Sequence, residues 1–389
     1  MLGVVLAAAA CALQPGARIS RRDALTTAGA ATSGLLLPPD AGLAAASPSP
    51  VEKSKLLLPR LGLGAWAWGD TLFWGYDAKK DDELSEVFDY AIERGVDFFD
   101  TAEVYGLGRS EELLGRFAAN NPKASNIKVA TKFAALPWRT KPADVLEAAK
   151  RSTDRLGRPI DLYQIHFPNA WANDQYWDGL GRCVDEGLVK AAGVSNYGVD
   201  AMRACHAALK SRGVPLSSNQ IQLSLIYPYA LSNGLTDACA ELGVGVLAYS
   251  PLGLGLLTGK FALPDRLPDG PRRALAEKFL ADPEFAALIE TMRDVGRSVQ
   301  LPGGAGGAAG ASPAQVALAW CSAKGACVIP GARTLSQAQS NIAAAEIRLS
   351  AEDVARLDAA AARVAPVLSP ATNPFPKKDV FTGMTMYDS

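Results

Sequence analysis

Four side chains that together could move a proton and steer an oxygen stand at or just beyond the ends of apolar segments: Asp100, Tyr105, Lys132 and His166. Asp100 closes the run Val96-Asp97-Phe98-Phe99-Asp100, Tyr105 follows in the next loop, and Lys132 and His166 end two further β-rich runs. A free phenol has a pKa near ~10 and exchanges protons poorly in neutral water, but an adjacent ammonium stabilises the phenolate and lowers that value. Asp100 would orient Lys132 while partly offsetting its effect, and His166 would hydrogen-bond a substrate oxygen and fix its direction. The expected result is a tuned general acid, a role worth about 10²–10⁴ in rate. Taken singly, each residue has a plainer explanation: Asp100 and Ser110 as helix caps, Lys132 as a solvated terminus, His166 as a satisfied core histidine. The combination is what points to chemistry, and it requires a fold that gathers the ends of several strands.

The sequence supplies such a fold. From Leu61 onward, short apolar runs rich in β-formers alternate with helical patterns at a repeat of roughly thirty residues, as in successive βαβ units. Leu84, Val87, Phe88, Ala91 and Ile92 form one helix stripe, and Gly95 is its stop signal. Strands are expected at 61–65, 96–100, 127–131, 162–166, 189–194, 218–223, 244–249 and 327–329, with helices between them at 143–156, 200–211, 235–242, 313–322 and 336–347. Eight strands with crossover helices can close an α/β (β/α)8 TIM barrel in a single domain, which removes exposed sheet edges and brings strand C-termini to one mouth. An open, doubly wound sheet is the rival arrangement. Two stretches break the alternation: a long Gly/Pro-bearing loop at 251–271, of a length usually reserved for function, and a Gly/Ala tract at 302–312 read as a surface insertion.

Composition narrows the partners. Of 389 residues 49% are hydrophobic, so a large core is affordable, and 39 basic against 40 acidic residues leave no electrostatic footprint for nucleic acid or an anionic membrane surface. A small neutral or anionic ligand fits better. Residues 1–50 carry three Arg, two Asp, no Lys and no Glu, with Ser20-Arg21-Arg22-Asp23-Ala24-Leu25 between two short apolar runs and a small-residue site at Ala44-Ala45-Ala46. Neither run reaches the ~20 apolar residues of a membrane span. The segment is expected to be a cleaved bipartite presequence whose twin-Arg element resembles a twin-arginine or thylakoid signal, directing the protein to a plastid, with bacterial twin-arginine export as the alternative. The barrel is expected at 51–365, and the Pro-bearing tail at 366–389 reads as either a lid over the mouth or a loose end. Outside the leader, Cys183, Cys205, Cys239, Cys321 and Cys327 contain no Cys-x-x-Cys pair, and with His166 and His206 alone no metal site is expected.

Two nucleotide motifs fail. Gly62-Leu63-Gly64-Ala65-Trp66-Ala67 lacks the third glycine of a Rossmann fingerprint, and Gly259-Lys260 has Leu254 where a Walker A loop needs its first glycine. A nucleotide's phosphates would need another device, such as the loop after the seventh strand.

The residues resemble the aldo-keto reductases. Gly95-Val96-Asp97-Phe98-Phe99-Asp100-Thr101-Ala102-Glu103-Val104-Tyr105-Gly106, with Ser110-Glu111 behind it, is similar to that family's first signature, and Gly187-Leu188-Val189-Lys190-Ala191-Ala192-Gly193-Val194-Ser195-Asn196 to its second. Ala130-Thr131-Lys132-Phe133 and Asp161-Leu162-Tyr163-Gln164-Ile165-His166 resemble its strand motifs, and the likeness extends over about residues 58–365. The resemblance implies a barrel that binds NADPH without a Rossmann domain and reduces aldehydes or ketones to alcohols, with Asp100, Tyr105, Lys132 and His166 as catalytic tetrad. It further implies that Ser195, Asn196 and Gln220 hold the nicotinamide carboxamide, that Tyr249 stacks on the ring, and that Ser250, Leu252, Gly253 and Gly255 approach the pyrophosphate through backbone amides. Gly331, Arg333, Gln337 and Asn341 would form the adenosine end, Arg333 pairing with the 2′-phosphate, so NADPH is preferred to NADH. One position departs: many relatives have Glu before the final Asn, and this chain has Ser340. A substrate pocket lined by Trp66, Trp68, Trp138 and the loop from Trp171 to Trp177 would suit apolar or flat carbonyl compounds. The spacing looks most like the plastid-type subgroup, for which pyridoxal is one substrate. A barrel resembling channel β-subunits, holding NADPH as a regulator with slow turnover, is the competing expectation.

Overall fold

A computed structural model describes residues 55–169, 171–299 and 310–364. The presequence expected at 1–50, the tail at 366–389 and most of the Gly/Ala tract lie outside the described residues.

All eight expected strands are present: β1 (Leu63–Gly64), β2 (Phe98–Asp100), β3 (Lys128–Phe133), β4 (Ile160–Ile165), β5 (Val189–Ser195), β6 (Leu216–Gln222), β7 (Gly245–Tyr249) and β8 (Cys327–Val328). They pair in parallel and in strict sequence order. Parallel bridges Leu61 to Val328 and Gly64 to Gly331 bring the first strand back to the last, so the sheet is a (β/α)8 barrel. A doubly wound sheet would reverse its order at a switch point, and none occurs in this sheet. The barrel floor is the apolar cluster Phe98, Ala130, Leu162, Ala191, Leu247, Cys327 and Ile329.

Crossover helices α1 (Asp81–Glu93), α2 (Arg109–Asn120), α3 (Pro142–Leu156), α4 (Asn173–Asp185), α5 (Val199–Lys210) and α6 (Leu235–Leu242) follow the first six strands. After β7 come α7 (Arg273–Leu280), α8 (Pro283–Ser298) and α9 (Pro313–Ala323), and after β8 come α10 (Leu335–Ala343) and α11 (Ala351–Val364). The expected stripe of α1 is buried at Leu84, Val87, Phe88 and Ala91. Helix α9 starts with a capping box in which Ser312 and Gln315 satisfy each other's backbone amides.

Several helices were not anticipated, and the reasons are physical. On α2 a fully buried Glu111 occupies a place where the period asks for an apolar residue; it accepts from Thr131 Oγ1 at 2.5 Å and from Arg155 Nε at 2.6 Å. Helix α4 replaces most of the loop expected from Trp171 to Trp177, because Tyr176, Leu180, Cys183 and Val184 form its buried face. The long segment after β7 coils into a 3-10 turn at Gly253–Thr258 before reaching α7. The five cysteines among the described residues are buried free thiols, and burial raises their pKa values, Cys183 and Cys239 to about 12.

Candidate active site

Asp100, Tyr105, Lys132 and His166 meet at the C-terminal mouth of the barrel. Asp100 ends β2, Lys132 is the next-to-last residue of β3, and His166 immediately follows β4. Lys132 Nζ donates to Asp100 Oδ1 at 2.6 Å, to the Thr101 carbonyl at 2.7 Å and to the Tyr105 hydroxyl at 3.4 Å. The ammonium sits 4.9 Å from the centre of the Tyr105 ring, and the His166 ring stands edge-on to that ring at 5.7 Å. Strands β2 and β3, with the segments that follow β2 and β4, therefore bring an acid, an amine, a phenol and an imidazole together at one mouth.

The electrostatics correct one expectation. Burial, with the Asp100 and Asp70 charges nearby, pushes the Tyr105 phenol well above its ordinary value, so Lys132 does not acidify it as expected. The reason is that Lys132 is itself buried, which lowers its proton affinity, and Asp100 at 2.6 Å compensates its charge. His166 is held well below its ordinary value by burial and by Lys132. At neutral pH the phenol therefore keeps its proton and the imidazole is neutral, with Nδ1 lacking a partner among the described protein atoms.

On the opposite side of the mouth, Ser195 Oγ donates to the Gln220 carbonyl at 2.9 Å, and Asn196, held at φ 63°, donates to the His166 carbonyl at 3.0 Å. The Tyr249 hydroxyl donates to Asn196 Oδ1 at 2.8 Å, which orders this wall. Gln220 turns its amide nitrogen to Asp100 Oδ2 at 2.7 Å, a contact the sequence did not disclose.

Ser250, Leu252, Gly253 and Gly255 form a tight coil, with Ser250, Gly253, Leu254 and Gly255 all in left-handed backbone geometry. The amides of Gly253 and Gly255 donate to the carbonyls of Ser250 and Leu252. Those two amides are spent inside the turn, which corrects the expectation that they face a pyrophosphate. Cations gather beside the turn instead. Arg272 Nη1 donates to the Leu254 carbonyl at 3.4 Å, and Arg272 and Arg333 lie 4.7 and 5.5 Å from the centre of the Trp74 ring. Lys260 and Arg272 are each lowered by burial and by a neighbouring guanidinium, Arg333 among them. Sequence reasoning dismissed Gly259-Lys260 with the Walker motif and did not single out Arg272; only the folded loop brings them to Arg333. Gln337 accepts the Arg333 amide at 2.8 Å and Asn341 donates to the Gly331 carbonyl at 3.2 Å, so both brace the loop that carries Arg333.

The tryptophans divide. Trp66 stacks on Phe73 at 5.1 Å and lies 5.9 Å from the Tyr105 ring, beside the mouth. Trp68 is fully buried, donating to the Ala332 carbonyl and packing on Phe117, and Trp177 is buried against Tyr197, so neither lines the cavity as expected. Trp138 and Trp171 are exposed.

The pattern of the aldo/keto reductase family matches residues 60–362. The chain belongs to that family. A chloroplastic pyridoxal reductase of Arabidopsis thaliana is 37% identical over 330 residues, spanning 80% of this chain and 85% of the relative. A glycerol dehydrogenase of Gluconobacter oxydans is 26% identical and superposes with a TM-score of 0.65 over 83% of this chain and 95% of its own. An aldo-keto reductase of Klebsiella pneumoniae, crystallised with NADPH, shares the fold with a TM-score of 0.59 at 23% identity over 78% of this chain and 90% of its own.

Proposed function

We propose that the protein is an NADPH-dependent carbonyl reductase in which Tyr105 is the general acid. The observation that carries this reading is the chain of contacts from Asp100 through Lys132 Nζ to the Tyr105 hydroxyl, 2.6 and 3.4 Å long. NADPH, when bound, supplies hydride to the carbonyl carbon. Tyr105, with its raised proton affinity, arrives protonated and donates to the carbonyl oxygen as negative charge develops there. Lys132 then donates to the phenolate that remains, an interaction stronger in the transition state than in the ground state. His166, neutral, presents a hydrogen-bond donor to the same oxygen and fixes the carbonyl's direction. Trp66, stacked on Phe73 beside Tyr105, offers a flat apolar wall and excludes water from that side.

The residues fit the cofactor. Lys260, Arg272 and Arg333 crowd like charges that an anion would relieve, and Arg272 Nε and Trp74 Nε1 are buried without a partner among the described protein atoms. Lys260 and Arg272 would pair with the pyrophosphate beside the turn that Gly253 and Gly255 close, and Arg333 with the 2′-phosphate, its loop shaped by Gly331, Gln337 and Asn341. Ser195, Asn196 and Gln220 would hold the carboxamide, with Tyr249 flanking the ring. Residues 51–365 would form the catalytic barrel and 1–50 a cleaved presequence. The composition of 1–50 and the chloroplastic name of the Arabidopsis relative support a plastid location. Among the described residues no helix is long and apolar enough to cross a membrane.

The test is loss of reduced-nicotinamide absorbance when the protein lacking residues 1–50 is mixed with NADPH and a panel of neutral aldehydes, ketones and quinones that includes pyridoxal. Turnover of at least one class is expected. Tight NADPH binding with no carbonyl consumed would favour the regulatory reading instead.

A further inference from the structure

Inside the mouth, one carboxylate oxygen of Asp100 is used by Lys132 and the other by two amides. Gln164 Nε2 donates to Asp100 Oδ2 at 3.3 Å and Gln220 Nε2 donates to the same oxygen at 2.7 Å. Gln220 Nε2 also lies 3.4 Å from Gln164 Oε1, so the two side chains hold each other. Gln164 is fully buried on β4, Gln220 nearly so on β6, and Asp100 on β2, so three alternate strands contribute one polar layer directly above the apolar floor. Buried amides are costly unless paired, and an aliphatic layer would fill the barrel without that cost. The backbone also makes room for the layer: a Cβ on Gly193 of β5 would stand 2.9 Å from Gln164 Cγ and 2.4 Å from Ser218 Oγ.

We propose that Gln164 is a positioning residue of the reaction. Its amide, with that of Gln220, fixes the Asp100 carboxylate so that Oδ1 holds Lys132 where Nζ meets the Tyr105 hydroxyl. A carboxylate with one bare oxygen can rotate about its side-chain bonds; one with two amide donors on Oδ2 presents Oδ1 in a single direction. Lys132, fully buried and anchored by Oδ1 and the Thr101 carbonyl, inherits that direction. Gln164 acts only through Asp100. Because Gln220 is also the residue proposed for the nicotinamide carboxamide, the same clamp ties cofactor seating to tetrad geometry.

This inference rests on the reductase reading, and the experiment separates the two. Gln164→Met keeps length and volume and removes the amide; Gln164→Leu is the second variant should the first not fold. For the carbonyl compound that the wild-type protein turns over fastest, either variant should lower kcat by at least about tenfold while KM stays within about twofold. The NADPH Kd, read by nicotinamide fluorescence without substrate, should stay within about twofold as well. In an Asp100→Asn background the same substitution should change kcat by less than about twofold, since its route to Tyr105 is already cut. Full additivity with Asp100→Asn, or a rise in KM with kcat unchanged, overturns the positioning role while leaving the reductase reading intact. Absence of turnover in the wild-type protein itself overturns both.

Discussion

At the scale of single residues, the phenol of Tyr105 is the centre of the proposed chemistry, and its surroundings set how it would work. The amine beside it does not lower its pKa; it waits to receive the phenolate, so the contribution belongs to the transition state. Tyr105→Phe is therefore expected to reduce kcat by ~10² or more while the NADPH Kd moves less than about twofold, and equal loss of both would contradict the assigned role. Arg333→Ala should raise the NADPH Kd at least about tenfold and leave that of NADH nearly unchanged, because a guanidinium fork recognises the extra phosphate; titration with both cofactors checks the ratio. His166 gives a pH prediction. Its folded-state pKa lies well below the unfolded value, so below about pH 6.5 the unfolded chain binds the extra proton and folding stability falls as pH drops. The ring reaches the mouth and is partly open to water, so the slope should stay under about 1 kcal/mol per pH unit. Urea midpoints at pH 7 and pH 5 should differ more for the wild-type protein than for His166→Asn.

At the scale of elements, loops rather than strands decide where the chemistry points. Glu103, in the loop after β2, accepts from the Ala134 amide and from Arg139 Nη1, both at 2.6 Å, which locks that loop to the one after β3. The pair is only partly exposed, so Glu103→Gln, which leaves Arg139 uncompensated, should cost up to about 3 kcal/mol, read as a lower urea midpoint. It should also lower kcat, since Tyr105 rides on the same loop. Strands were legible because their apolar runs end in polar residues at a fixed cadence. Helix α2 was not, since its buried Glu111 is satisfied by Thr131 and Arg155, partners far away in sequence.

At the scale of the whole molecule, the barrel closes where β1 and β8 meet, and the loop proposed for the adenosine end leaves from that seam. Arg333 Nη1 donates to the Trp74 carbonyl at 2.9 Å, joining the loop after β8 to the loop after β1. Every residue proposed for the tetrad and the cofactor lies between 100 and 341, within the described barrel, so deleting residues 1–50 should leave kcat and the NADPH Kd within about twofold. A larger change in either constant would assign the leader a part in the mature fold.

Sequence alone determined the strand order, the barrel and which four polar side chains meet at its mouth, because these depend on local periodicity and on residue types at strand ends. Tertiary structure decided what those residues experience. The raised phenol, the amide clamp on Asp100 and the cation group of Lys260, Arg272 and Arg333 arise from burial and from contacts between segments distant along the chain. Desolvation and Coulomb forces depend on distance in space, which spacing along a chain does not encode.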